Sequence, residues 1–153
     1  MNSYEINEDT LAIIPKNNKI TIVYEKYNNY IVKQNIKEIL NNSCKYFGST
    51  LDGRKIASSS LLNINYKVPI IIEESSNMVF FPTSSIKNNK CSWISLNNID
   101  RFERNYRGSK IYFNNGKFII FPISYGILNN QILRSSRLIY LLKERKLNKN
   151  TKK

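Results

Sequence analysis

The chain of 153 residues contains no histidine. That removes the side chain that most often serves as a general base near neutral pH, and with it the Ser-His-Asp and Cys-His forms of nucleophilic catalysis. Cysteine is scarce as well. Cys44 and Cys91 are the two present, and two thiols without an imidazole fall short of a typical zinc site. They are distant in sequence and read as two small half-buried residues in a reducing compartment, not as a disulfide. Long apolar runs are lacking: Val68–Ile72 and Ile119–Phe121 are far too short to span a bilayer. The start, Met1-Asn2-Ser3-Tyr4-Glu5, has neither a basic n-region nor an apolar h-region, so a cytoplasmic location is expected. Acids are few. Asp52 and the Glu73-Glu74 pair remain, but nothing sets them opposite a partner or a metal, and Glu73-Glu74 reads as a solvated strand end. The expectation is a protein that binds without catalysing, with no cofactor and no metal.

What is present points to a folded domain with a polyanionic partner. Hydrophobic residues make up 41% of the chain, with ten Tyr and seven Phe, which is enough to build a core. A single domain over residues 1–146 is expected, followed by a basic flexible tail at 147–153. The formal net charge is +13. It is concentrated: from residue 75 onward 15 Lys and Arg face three acids, whereas residues 1–74 hold nine bases and eight acids. Charge gathered in one half is the electrostatic footprint of a nucleic-acid binder. The alternative is a basic interaction module of the pleckstrin-homology kind, docking on an anionic membrane surface or a protein partner.

Asn pairs (Asn17-Asn18, Asn28-Asn29, Asn88-Asn89, Asn114-Asn115) mark turns, because Asn tolerates left-handed backbone. Between them lie short strand-like runs: Leu11–Ile14, Lys19–Tyr24, Tyr30–Val32, Val68–Ile72, Met78–Phe81, Ser92–Leu96, Lys110–Phe113 and Lys117–Phe121. Asn114-Asn115-Gly116 predicts a hairpin between the last two. A short helix is predicted over Asn35–Asn42. Asp52–Leu62 is ambiguous, since its serines weaken a helix. The clearest helix runs from near Ser124 to about Lys146, with Ile127, Leu128, Gln131, Ile132, Ser135, Leu138, Ile139 and Leu142 in an i, i+3, i+4 rhythm. The predicted class is α+β: mainly antiparallel β, as a curved sheet or partly open barrel, with one or two short helices and a long C-terminal amphipathic helix covering its open side.

Three groups of residues are candidates for contact with nucleic acid. The first is the segment from Cys44 to Lys55, read as a loop, in which Gly48 and Gly53 permit close backbone approach. Here Ser49 and Thr50 would bind phosphate oxygens, Lys45 and Lys55 would sit on phosphates, and Arg54 would enter a groove. The second is Arg101, Arg104, Arg107 and Lys110. Spacing by three makes one face on a helix but alternates faces on a strand, and Gly108 with Phe102, Tyr106 and Tyr112 favours a hairpin. The third is the outward face of the last helix, with Arg134, Arg137 and the basic tail. Against each stands an ordinary structural role: a connection with core aromatics, a solvated rim, and the wet face of a helix. No zinc finger and no helix-turn-helix spacing is visible.

Four segments, kept in order over nearly the whole chain, together resemble the competence transcription factor (ComK) family. They are Ser3-Tyr4-Glu5-Ile6-Asn7; Ser43-Cys44-Lys45-Tyr46-Phe47-Gly48-Ser49 with Gly53-Arg54-Lys55; Pro69-Ile70 through Phe80-Phe81-Pro82-Thr83 to Cys91-Ser92-Trp93-Ile94-Ser95; and Phe113-Asn114-Asn115-Gly116-Lys117 through Pro122-Ile123-Ser124-Tyr125 to Asn130-Gln131. The resemblance implies an activator of genes for DNA uptake. Such a protein would bind double-stranded promoter DNA with paired A/T-rich boxes, mainly through the minor groove, as a homodimer or higher homo-oligomer, with RNA polymerase as a further partner and no membrane. Longer members of the family continue past the last helix with a tail for adaptor binding and assembly. No such tail motif precedes Lys153, which leaves adaptor-driven turnover and tetramer formation outside what the resemblance implies for this chain.

Overall fold

The computed structural model describes residues 1–84, 90–106 and 108–151, with side chains to residue 148; the expected turn at Asn88-Asn89 and the candidate Arg107 lie outside the described residues. Among the described residues, nine strands form two antiparallel sheets. The larger holds β1 (Thr10–Pro15), β2 (Thr21–Glu25), β3 (Asn29–Val32), β4 (Ile70–Glu73), β5 (Met78–Pro82) and β6 (Trp93–Ser95) in the order β3-β2-β1-β6-β5-β4. A 3₁₀ turn, Leu96–Asn98, leads from β6 into the smaller sheet: β7 (Ile99–Asn105), β8 (Gly108–Phe113) and β9 (Phe118–Phe121), paired in sequence order. Neither sheet closes into a barrel, and the class is the expected α+β.

Among the described residues, three α-helices cover the sheets. The first, α1 (Ile36–Tyr46), starts at an Asn35 cap whose side chain accepts from the Glu38 N–H while Glu38 reaches back to the Asn35 N–H. It runs four residues beyond the expected end because Ile39, Leu40, Ser43 and Cys44 continue one buried stripe. The ambiguous segment is a helix, α2 (Leu51–Leu62). The Thr50 side chain caps it by accepting from the Gly53 N–H, and Asn63 in the left-handed region ends it. The serines are accommodated because packing, not propensity, decides a helix that is held on one side. The last, α3 (Tyr125–Thr151), continues past the expected end at Lys146.

The apolar runs of β4, β5 and β6 are buried on both faces, which is why they read as continuous rather than alternating. On one face Ile13, Val23, Ile72, Phe80 and Trp93 pack against Ile39, Leu40 and Cys44 of α1 and Leu51 at the start of α2. On the other, Ala12, Phe81 and Ile94 pack against Ile111, Phe113 and Phe121 of the small sheet and Leu128 of α3. Further along, Ile71 and Val79 meet Leu138, with Leu61 and Leu62 beside them. Because α2 begins in the first cluster and ends in the third, it passes the edge strand β4 and covers it. The order of layers is therefore α1 and α2, large sheet, then small sheet with α3. The long helix packs beside the small sheet and does not plug the open side of a barrel. Its expected stripe is buried at Leu128, Gln131, Ser135 and Leu138, but Ile127 is 41% exposed.

Buried polar groups join the layers. Gln131 Nε2 donates to the carbonyls of Lys67 and Pro82 at 3.0 and 2.8 Å. Asn98, at the junction of the two sheets, donates through Nδ2 to the carbonyls of Glu8 and Thr10 and to Ser95 Oγ, each at 3.1 Å. Truncating Asn98 leaves those buried acceptors unmatched, which costs about 2 kcal/mol. Asn98→Ala is accordingly expected to lower Tm by about 4–8 °C in a thermal melt.

Candidate nucleic-acid interface

The small sheet has one face on the core and one in solvent. Register places the outer face. Arg101 pairs with Tyr112, Glu103 with Lys110, Lys110 with Ile120, and Tyr112 with Phe118, so these six side chains share it. The strand alternation expected for the Arg101-to-Lys110 segment is present: Arg104 pairs with buried Ser109 and belongs to the other side. There its guanidinium lies 4.5 Å from the centre of the Tyr125 ring, at the start of α3.

Cations and rings alternate on the outer face at contact distance. The Arg101 guanidinium stands 3.7 Å from the centre of the Tyr112 ring, and Lys110 Nζ stands 4.1 Å from Phe118 and 4.9 Å from Tyr112. Such stacking holds long side chains against the sheet and leaves their charge outward. Phe118 and Ile120 are 54% and 53% exposed, so the face also offers apolar surface. One acid lies within it: Glu103 accepts from the Tyr112 hydroxyl at 3.0 Å and lies 3.5 Å from Arg101. Two glycines permit this construction. A Cβ on Gly108 would stand 2.2 Å from the Phe121 carbonyl oxygen, and Gly116, at φ +90°, turns the hairpin that Asn114-Asn115-Gly116 predicted. Lys117 Nζ donates to the Glu25 carbonyl at 2.9 Å and ties that hairpin to the large sheet.

The segment Cys44–Lys55, read from sequence as a loop, is in fact the end of α1, a short turn and the first turn of α2. The physical reason is the buried stripe of α1 on one side and the Thr50 cap on the other. Within it, Cys44 is fully buried, and burial pushes its thiol up to about 11 with Arg54 opposing, so it is an inert core thiol. The Thr50 hydroxyl is engaged by Gly53 at 3.0 Å. Arg54 is half-buried, and its Nε lies out of solvent with no hydrogen-bond partner among the described residues. Lys55 is half-buried in a cavity wall; burial lowers its pKa, Asp52 raises it and Lys37 lowers it further. Lys45 is exposed and Ser49 half-exposed. The outward residues of α2 are Asp52, Gly53, Ile56, Ala57 and Ser60, which makes a poor base-reading face.

The two arginines of α3 differ. Arg134 Nη1 donates to the Tyr66 carbonyl and to Gln131 Oε1, both at 3.2 Å, and clamps α3 to the chain between α2 and β4. Arg137 is exposed. Sequence reasoning missed Tyr112, Phe118 and Ile120 as members of a surface; the signal available was the Lys117–Phe121 run, whose alternate residues must face outward if β9 is half-buried. Glu73 accepts from the hydroxyls and N–H groups of Ser75 and Ser76 in the β4–β5 turn, and these bonds hold its carboxyl down at about 2. Among the described residues no group of three His, Cys, Asp or Glu could hold a metal ion, and no helix is long and apolar enough to cross a membrane.

Stability separates a clamp from a surface charge. Arg134→Ala is expected to lower Tm by about 2–4 °C, the loss of roughly 1 kcal/mol of hydrogen bonding. Arg137→Ala should leave it within about 1–2 °C, as for other exposed positions. Differential scanning calorimetry on the two variants checks this.

Comparison with known proteins agrees with the family resemblance carried by the four segments. The model of a protein family described as ComK protein matches residues 1–147. A curated protein, the "Competence transcription factor" of Bacillus subtilis (strain 168), is 33% identical over 142 residues, covering 90% of this chain and 74% of its own length. No solved structure matches.

Proposed function

The chain belongs to the ComK family, and from that premise we propose that it is a competence transcription factor that binds A/T-rich double-stranded DNA, mainly through the outer face of the small sheet. The observation that carries this reading is the alternation of Arg101, Tyr112, Lys110 and Phe118 at stacking distance on a solvent-facing sheet. The cations would neutralise phosphates and release counterions. Phe118 and Ile120 would meet the groove: apolar side chains are what minor-groove proteins press against base steps, and A/T-rich duplex is the sequence whose narrow minor groove attracts Arg and Lys. Arg104 and Arg137 extend the basic surface, and Arg107 belongs to the same hairpin in sequence. Lys45, Ser49, Thr50, Arg54 and Lys55 form a second, smaller contact region at the α1–α2 turn in this reading. Nothing in the arrangement calls for catalysis; binding suffices.

Paired boxes imply paired protomers. Leu133 and Tyr140 of α3 are 58% and 59% exposed, seven residues apart, and opposite the buried stripe. That spacing suits helix-to-helix association and supports assembly of a dimer through α3.

Opposite charge changes on one face test the reading. Lys110→Ala is expected to weaken binding to every duplex and to reduce the slope of log K against log salt by roughly 1. Glu103→Gln, which removes the acid from the same face, should tighten binding. Arg54→Ala should reduce the preference for A/T-rich over G/C-rich duplex if the α1–α2 turn reads the groove. Isotherms by fluorescence anisotropy at two salt concentrations and two box spacings measure all of these. Equal affinity for A/T-rich and G/C-rich duplex, or binding to anionic vesicles with no preference for duplex, would refute the proposal.

A further inference from the structure

A cavity of about 270 Å³ opens between the β1–β2 turn, the first turn of α1 and the first turn of α2. It is separate from the outer face of the small sheet, since none of that face's side chains lines it. Its floor is apolar: Leu40, Leu51, Cys91 and Trp93, each at least nine-tenths buried, form it. Two lysines from different helices, Lys37 on α1 and Lys55 on α2, stand at its wall.

Each part of this arrangement restricts the occupant. The volume corresponds to roughly nine waters and lies just below the usual range for ligand pockets, which begins near 300 Å³; it admits a small organic molecule and no part of a duplex wider than a phosphate. Water filling an apolar floor gains little there, so displacing it favours an apolar body. Burial disfavours the charged form of Lys55, Asp52 offsets this in part, and Lys37, on the same cavity wall, disfavours it further. A single negative charge placed between the two lysines favours the charged form of Lys55 and offsets the repulsion from Lys37. Inorganic phosphate would meet the lysines but leave the floor unused, and an uncharged apolar molecule would do the reverse.

We infer that this cavity is a binding site for a small amphipathic carboxylate, whose apolar body lies over Trp93 and Leu40 and whose carboxylate sits between Lys37 and Lys55. Occupancy would bridge α1 and α2 at their N-terminal ends, with the β1–β2 turn closing over the ligand. The site stands on the cavity and its charges; Lys55 also belongs to the smaller contact region proposed at the α1–α2 turn, and the titration below reads ligand binding without DNA.

Trp93 is the single tryptophan of the chain, so its emission reports directly on the floor. The full chain is titrated with octanoate, with 1-octanol and with inorganic phosphate at constant pH and ionic strength. Octanoate is expected to produce a saturable change in Trp93 emission. Lys37→Gln and Lys55→Gln should each raise its Kd about tenfold, the loss of one charge-assisted hydrogen bond, while Lys55→Arg, which keeps the charge, retains most of the affinity. Thermal melts of the variants establish that they are folded. An absence of saturation with octanoate overturns the inference. So does 1-octanol binding as tightly as octanoate, because the lysines would then read no charge. Competition by phosphate at the same concentration as octanoate would assign the lysine pair to phosphate and overturn it equally.

Discussion

Burial of the large sheet on both faces is the constraint from which the rest of the structure follows. Three of its strands, Ile70–Glu73, Met78–Pro82 and Trp93–Ser95, are apolar on successive residues. Successive residues of a strand point to opposite sides, so a single covering layer would leave half of these side chains in water. At about 25 cal/mol per Å² of apolar surface, exposing even one ring such as Phe81 is a large fraction of a domain's net stability. Two covers are therefore needed. Helices α1 and α2 supply one; the small sheet and α3 supply the other.

The second cover determines what the molecule shows to its surroundings. A sheet of three strands that gives one face to the core has its other face left over. Here that face collects Arg101, Lys110, Tyr112, Phe118 and Ile120 by register alone. The rings would be a solubility liability on an ordinary surface; stacked beneath cations they become a patch with both charge and apolar area. The first cover has a different by-product. Where the capped first turns of α1 and α2 meet the β1–β2 turn, the helices do not fill the space above Trp93, and a cavity with two lysines remains.

The charge asymmetry of the sequence acquires a structural meaning in this frame. Most bases of the basic half lie on the small sheet, its hairpins and α3, while β5 and β6 of that half are apolar strands of the large sheet, so charge concentrated along the chain is also concentrated in space. Not every base takes part. Arg134 is spent on the Tyr66 carbonyl, Lys117 on the Glu25 carbonyl and Lys146 on Glu74 at 3.5 Å. A count of lysines and arginines overstates the surface that remains for a partner, and only hydrogen bonding across layers reveals which ones have been withdrawn.

The sequence by itself determined most of the elements and, through contiguous motifs, the family. Continuous apolar runs mark strands, Asn-Asn-Gly marks a hairpin, and an i, i+3, i+4 rhythm marks a long helix, because these signals arise from neighbours a few residues apart. The family-like segments likewise lie in contiguous stretches. Tertiary structure alone decided the rest. That there are two sheets, and that α3 lies beside the second, depends on pairings such as Ile13 with Trp93, 80 residues apart in sequence, and no local pattern encodes them. The segment from Cys44 to Lys55 looked like a loop because Gly48, Ser49, Thr50 and Gly53 are poor helix formers; Gly48, Ser49 and Thr50 do form the turn and cap, while burial of Leu40, Cys44 and Leu51 carries helix up to Tyr46 and again from Leu51 through Gly53. The same packing turns Lys55 toward a cavity and Arg54 partly inward. Which bases face outward is a question of strand register and layer order, and both are set by long-range burial.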